Sequence, residues 1–480
     1  MRLAVMTGFI VLLNPQSAWA ADAVEVHAFS VAPFVLLLLA IALLPIVAEH
    51  FWHSNFRRAI VVLVLSLPAV GYLCWLEFST GQPALAKLEH SLLEYLDFII
   101  MLGALYTIAG GILVDVQVRP HAGVNTLILA IGAALASLIG TTGASMLLIR
   151  PLLRINARRA NNRHLPVFFI FIVANLGGLL TPLGDPPLYL GFLRGVRFSW
   201  TLLLLPHWAV SLGCALAVFF VWDAWALARE PKTIRAEWTG GEVKVRLRGR
   251  INIIFLAGVL AAVLLQSPLA EVVQQWLNQF FACPQLRLVT AGDWLEHARG
   301  GQMTPLPGSV VMLAMALLSL CFTRSAVRHV NHFNWSALIE VAVLFFGIFA
   351  TMVPALELLA KHGSELGVTE AWQYFWLTGS LSCFLDNAPT YLAFATIASH
   401  GEDLGAFADA GGQATLVLQA ISVGAVFMGA LTYIGNGPNF MVKAIADAAG
   451  YRTPSFFGYM LYAILILVPI FGLVTWLFFL

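Results

Sequence analysis

The chain has 480 residues, 60% of them hydrophobic and 11% charged, with 26 Lys and Arg against 25 Asp and Glu. A soluble domain carries about 25% charged residues, so too little polar surface exists here to cover a globule of this size. The near-zero charge balance also removes net charge as a ground for nucleic-acid binding. The composition is that of an all-α polytopic membrane protein.

Residues 1–20 read as a secretory signal peptide. Arg2 precedes an apolar stretch from Leu3 to Leu13, and Ala18-Trp19-Ala20 ahead of Ala21 has the small-x-small form of a cleavage site. An uncleaved signal anchor is the alternative. Crossing roughly 30 Å of hydrocarbon takes about 20 apolar residues. Such runs lie at 29–48, 59–76, 97–116, 165–194, 201–222, 251–267, 307–323, 337–359, 413–448 and 457–478. The expectation is about ten transmembrane helices. Two runs, 165–194 and 413–448, are too long and are interrupted by Gly and Pro, so they read as broken helices. Two further segments, 123–160 and 371–400, carry a polar kink at their centre and read as re-entrant hairpins.

The chain then divides into N-terminal scaffold helices over 29–95, a first repeat over 97–225, a linker with scaffold helices over 226–336, and a second repeat over 337–480. The third part holds a basic cytoplasmic linker with an alternating stretch from Glu242 to Arg246. It also holds an outside loop, 268–306, with an amphipathic pattern from Leu269 to Phe281. Cys74, Cys214, Cys321 and Cys383 lie in apolar runs and Cys283 in that loop, a spacing that makes neither a disulfide framework nor a metal site.

Basic residues set the orientation. With the mature N-terminus outside, Arg57, Arg58, Arg119, Arg150, Arg154, Arg158, Arg159, Arg163, Arg324, Arg328, Lys443 and Arg452 all fall inside. The outside segments collect Glu77, Glu89, Glu94, Glu402, Asp403 and Asp409. An even number of spans returns the C-terminus to the outside.

Two distant stretches match without a gap: Gly178-Leu179-Leu180-Thr181-Pro182-Leu183-Gly184-Asp185-Pro186-Pro187, and Gly429-Ala430-Leu431-Thr432-Tyr433-Ile434-Gly435-Asn436-Gly437-Pro438. Each follows a hairpin kink, Gly140-Thr141-Thr142-Gly143-Ala144-Ser145 in one half and Leu385-Asp386-Asn387-Ala388-Pro389-Thr390 in the other. Each kink follows a span with an acid near its start, Asp97 or Glu340. On the stated topology the first hairpin enters from inside and the second from outside. Inverted repeats with broken helices at matching positions point to a secondary transporter whose site lies at the midplane. Irregular backbone at that depth survives only where it lines a cavity or is buried in protein.

The breaks also carry the chemistry. Gly184 frees the backbone, Asp185 can cap the half-helix that Pro186 begins, and an uncompensated Asp at membrane depth costs about 2.5–3.5 kcal/mol. Small hard cations take oxygen ligands, and unwound carbonyls with Asp, Asn and Thr oxygens supply them. The expected ion or substrate ligands are Thr141, Thr142, Ser145, Thr181 and Asp185 for one half. Asp386, Asn387, Thr390, Thr432, Asn436 and Asn439 serve the other, with Asn175 a turn before the first break. Asp185 and Asp386 are the expected Na⁺ ligands. His207 reads as an interfacial residue or a proton relay. Asp115, Glu340 and Glu357 sit near span ends, where reaching water is easy.

These pieces resemble the ion transporter superfamily of citrate carriers, arsenite permeases, dicarboxylate/sodium symporters and D-type sodium/proton antiporters. The resemblance runs from about 97 to 448. Asn175-Leu176-Gly177-Gly178 leading to Asp185, and Leu385-Asp386-Asn387-Ala388-Pro389, are similar to the D-type antiporter pattern. Gly184-Asp185-Pro186-Pro187-Leu188-Tyr189-Leu190-Gly191 is similar to bacterial proteins described as citrate transporters or sodium:proton antiporters. The resemblance implies a homodimer in the bacterial inner membrane, with a fixed scaffold and a moving region that holds both hairpins. Where dicarboxylate symporters have Ser-Asn-Thr signatures, this chain has Thr-Thr-Gly and Asp-Asn-Ala, and an Asp in the first break. Carboxylates there suit a cation or proton and disfavour a carboxylate substrate.

The first expectation is therefore a sodium/proton antiporter with no cofactor beyond the coupling ion. The second is a citrate or related carboxylate transporter coupled to cations, which calls for a basic or hydroxyl-rich pocket. No Lys or Arg stands at the breaks. An intramembrane aspartyl protease, using Asp185 and Asp386, is a third reading, but the repeat pairs Asp185 with Asn436.

Overall fold

In the computed structural model residues 24–52, 54–231, 244–265, 306–331 and 333–480 are described. The signal sequence, the centre of the basic linker, and the outside loop up to residue 305, with its amphipathic pattern and Cys283, lie outside the described residues.

The helices, in order, are α1 Ala32–Val47, α2 Asn55–Thr80, α3 Ala84–Ala109, α4 Ala122–Ile139, α5 Thr141–Asn156, α6 His164–Ile172, α7 Pro186–Leu193, α8 Leu205–Ala228, α9 Ile251–Leu264, α10 Leu306–Phe322, α11 Ser336–His362, α12 Ala371–Ser382, α13 Asn387–Ser399, α14 Gly412–Met428, α15 Gly437–Ala448 and α16 Phe456–Phe478. Among the described residues, eight helices are long and apolar enough to cross a membrane, against about ten expected. Among the described residues the expected crossings at 165–194, 251–267 and 307–323 are covered by shorter helices: the first is interrupted after α6, and α9 and α10 are described over 14 and 17 residues. In the other direction α4, expected as one arm of a hairpin, reaches the length of a crossing. Apolar composition measures how long a run stays greasy, whereas Gly and Pro decide where the helix stops.

One helix limit moves: the span expected at 97–116 begins at Ala84 and ends at Ala109. Its polar first half still makes helix because side chains such as Lys87 find partners across the bundle. Directly after α3, β1 (Leu113–Gln117) pairs antiparallel with β2 (Lys244–Arg248), placing Asp115 opposite Arg246. The alternation around Glu242–Arg246 has the two-residue period of a strand, and its partner pins the end of the linker to the end of α3.

Helices α1, α2, α3, α9, α10 and α11 pack on one another. Helices α4 to α8 and α12 to α16 form a second bundle, which meets the first where α3 lies against α5 and α7 and where α11 lies against α13. The second bundle is tied at one end by a buried polar knot. Asp223 of α8 holds Arg159 at 2.7 Å and His164 at 2.8 Å, and accepts from Asn125 of α4 at 2.8 Å. Asn156 of α5 joins Asn125 and Arg159. Removing one partner of a buried pair leaves a charge without compensation, at about 3–5 kcal/mol. Arg159→Met is therefore expected to lower thermal stability in detergent sharply, as read by light scattering or intrinsic fluorescence.

Candidate functional site

The two breaks repeat the same backbone. After α6, a 3-10 turn over Leu176–Leu180 gives way to Thr181 and Asp185 in extended conformation. After α14, a 3-10 turn over Gly429–Leu431 gives way to Thr432 and Asn436 in nearly the same angles, with φ/ψ of −146°/147° at Asp185 and −151°/137° at Asn436. Pro186 or Pro438 then opens a half-helix, α7 or α15. The Thr hydroxyls brace the hairpins: Thr181 donates to the Ser137 carbonyl and Thr432 to the Cys383 carbonyl. The turns close tightly on glycine. A Cβ on Gly184 would lie 2.1 Å from the Gly178 carbonyl oxygen, and one on Gly435 2.6 Å from that of Gly429.

The hairpin tips meet the breaks. Gly140, at φ 78°, turns the chain so that α5 starts at Thr141. Asp386 caps α13 by accepting from the Ala388 amide at 3.2 Å, and Asn387 is the first residue of that helix. Counting from the braced carbonyls, Thr141 and Asn387 occupy equivalent places, each four residues beyond.

All of this converges on Asp185, which is 2% exposed. Its Oδ1 accepts from Thr141 Oγ1 at 3.1 Å and from Asn436 Nδ2 at 3.3 Å, and its Oδ2 from Asn387 Nδ2 at 2.7 Å. The Thr141 amide also donates to the Gly184 carbonyl at 2.9 Å. Both hairpin tips and the opposite break therefore serve one carboxylate, because the equivalent residue of the second break, Asn436, is neutral. Members of both expected sets, Thr141 and Asp185 from one and Asn387 and Asn436 from the other, thus meet at a single place. A ladder of amides lies behind them. Asn436 also donates to Asn175 Oδ1 at 3.2 Å, and Asn175 to Asn439 Oδ1 at 2.7 Å. Asn439 donates to the Gly429 and Thr432 carbonyls. Thus Asn175 and Asn439 hold the backbone of the breaks.

The other expected residues are placed differently. Thr142 lines the adjoining cavity. Ser145 is buried, with no hydrogen-bond partner for its hydroxyl among the described residues. Thr390 bonds the Asp386 carbonyl of its own helix at 3.0 Å. His207 is buried beside the rings of Phe478 and Phe479, at 4.3 and 5.3 Å, and neither ring nitrogen has a hydrogen-bond partner among the described residues. Glu340 pairs with Arg58 and Glu357 with Lys87, and Asp115 lies on β1.

A cavity of about 950 Å³ reaches Asp185 and Asp386 from one side. Thr141, Thr142 and Asn436 line its floor, and Arg58, Arg150 and Arg154 line it farther along. Asp386 is half-buried on its wall. Sequence reasoning sought cations at the breaks and so missed these arginines. The signal was a four-residue stripe along α5, Thr142, Met146, Arg150 and Arg154, every member of which faces the cavity. Arg58 is paired with Glu340 at 2.9 Å. Arg150 and Arg154 have no acidic partner among the described residues, and one buried nitrogen of Arg150 is unbonded.

A family model described as "Putative citrate transport" matches residues 23–479, nearly the whole chain. No curated protein matches it.

Proposed function

The chain belongs to this citrate transport family, and from that premise we propose that Asp185 and Asp386 bind a small cation in competition with protons, making this membrane transporter a cation/proton antiporter that works by alternating access. The observation that carries the reading is the company Asp185 keeps. Its three side-chain partners are neutral donors, and neither Lys nor Arg reaches it among the described residues. A buried carboxylate without a countercharge is costly. The positive charge it lacks is supplied by a proton or a cation such as Na⁺ from the cavity. The two exclude each other on the same oxygens, and that competition couples their fluxes.

The same reading makes the cavity the open half of an alternating-access cycle. Its lining includes Arg58, Arg150 and Arg154, which basic-residue bias places on the inside. A homodimer in the bacterial inner membrane, with both termini outside, belongs to this proposal. The protease reading gains nothing from the geometry, since no hydrogen bond joins Asp185 to Asp386 among the described residues.

Ligand binding to the folded state raises its stability. Na⁺ is expected to raise the melting temperature of the purified protein, more strongly as pH rises, because protons vacate the carboxylates. Asp185→Asn should lose the effect. A Na⁺ stabilisation that ignores pH, or that survives in the variant, would sink the proposal.

One observation favours a second reading, cation-coupled transport of a carboxylate. The unpaired Arg150 and Arg154 stand on the same cavity, roughly 13 Å or more along α5 from Thr141 at 1.5 Å per residue. A carboxylate held there would escape most of the repulsion from Asp185. Bonds to charged groups contribute about 1.5–3 kcal/mol. Arg150→Gln or Arg154→Gln is then expected to weaken citrate uptake at least about tenfold while leaving cation-driven proton movement intact. Unchanged citrate uptake in both variants would remove this reading.

A further inference from the structure

On the side of Asp185 away from the cavity, α7 runs down against α3, and a second group of buried polar residues lies between them. Arg194, which caps the end of α7, reaches Glu94 of α3 with two bonds of 3.0 Å, one from Nε and one from an Nη atom. This pair joins the two bundles, whereas Arg58–Glu340, Lys87–Glu357, Arg159–Asp223 and Arg197–Asp409 each stay within one. On the solvent side of Glu94 stands His90, at 3.1 Å and partly exposed. One turn deeper is Asp97, only 1% exposed. Its Oδ1 accepts from the Ser309 hydroxyl of α10, and its Oδ2 has no partner among the described residues. The Tyr189 hydroxyl on α7, one turn beyond Asp185, is likewise buried and unbonded.

Charge decides what Asp97 needs. Two carboxylates, Glu94 and Asp97, stand near one guanidinium, and Glu94 takes both of its forks. Among the described residues, the other elements packed on α3 offer Asp97 no countercharge. Helix α9 has no titratable residue, Glu77 of α2 accepts from the Leu85 amide, Glu357 of α11 is taken by Lys87, and the arginines of α5 lie at the cavity end. An ionised Asp97 would be a lone charge in a low-dielectric setting.

We propose that Asp97 is a second proton-binding carboxylate, and that its proton is exchanged with water at the His90 end when the Glu94–Arg194 contact opens. While the contact is closed, the proton sits on Oδ2 and neutralises the group. Once α7 carries Arg194 and Tyr189 away, Glu94 and Asp97 are left a turn apart with no guanidinium, and water reaches both. Motion of one bundle past the other thereby becomes linked to a proton that never visits Asp185. The inference stands whether the transported species is a cation or a carboxylate.

The test needs no known substrate. Infrared difference spectra of the lipid-reconstituted protein, recorded across a pH titration, are expected to show a protonated-carboxyl C=O band. Asp97→Asn should remove that band, and Asp185→Asn should leave it in place. Ser309→Ala, which keeps the carboxyl but deletes its hydroxyl partner, should shift the band's frequency, and it decides the matter should the Asn variant fail to fold. A spectrum in which no band is lost in Asp97→Asn, or none moves in Ser309→Ala, would overturn the proposal. Loss of the Na⁺ response in Asp185→Asn bears on the first site only, so the two failures are distinguishable.

Discussion

Asp185→Asn is expected to abolish coupled transport while leaving the protein folded. The substitution keeps the shape of the side chain, and an amide oxygen can still accept from one of Thr141, Asn387 and Asn436, whose donors now surround Asp185. What disappears is the charge. If compensating that charge drives cation binding, its removal forfeits about 3 kcal/mol, or roughly two orders of magnitude in apparent affinity. Asp386→Asn should act in the same direction but less severely, because Asp386 is half-buried on the cavity wall and meets one backbone amide. Ion-driven flux in reconstituted vesicles, compared at equal protein, measures both. Wild-type flux in the Asp185→Asn variant would show that the carboxylate only ties the hairpin tips to the second break; contrary to the expected cap, its side chain makes no hydrogen bond to the half-helix it precedes.

Gly184→Ala is expected to be the most damaging small substitution in the second bundle. The added methyl would lie 2.1 Å from the Gly178 carbonyl oxygen. The methyl is fixed to its own backbone and the atom it meets is a backbone carbonyl, so no side chain can swing away. Opening the turn would also pull Gly184 from the Thr141 amide and carry Asp185 off its ligands. Overpacking costs about 1–3 kcal/mol, and this site offers little room to relax. Gly213→Ala is the control, since an added Cβ there meets nothing within 4 Å and Ala favours helix. Thermal unfolding followed by size-exclusion chromatography should separate the two variants clearly. Equal melting temperatures would contradict the tight-turn account.

The breaks were legible because Gly and Pro interrupt long apolar runs at matching places, and no other residues end a membrane helix so plainly. The fold class follows from composition for a similar reason: 11% charge leaves no soluble alternative. Helix limits were less legible. Lys87, Glu94 and other polar residues of α3 looked like loop because their partners, Glu357 and Arg194, lie far away in the chain. The site itself was legible as a set of residue types but not as an arrangement. Periodicity cannot reveal that Asn387 and Asn436 both turn to Asp185, since that pairing is made by packing between the two repeats. Nor could hydropathy separate Arg150 and Arg154 from the inside arginines that set orientation. Only the α5 stripe they share with Thr142 and Met146 distinguishes them. The sequence shows Asp97 as an acid near a span start, yet its lack of a countercharge among the described residues belongs to the tertiary structure.

The most direct test of the account is made on everted vesicles from a host lacking its own antiporters, with a pre-formed acid gradient followed by a pH-sensitive dye. Addition of Na⁺ or Li⁺ is predicted to dissipate the gradient when the wild-type protein is present, and not when Asp185→Asn replaces it. Silence toward Na⁺, Li⁺ and K⁺, with labelled citrate accumulating instead, would contradict cation/proton exchange at Asp185 and make the cavity a carboxylate pocket.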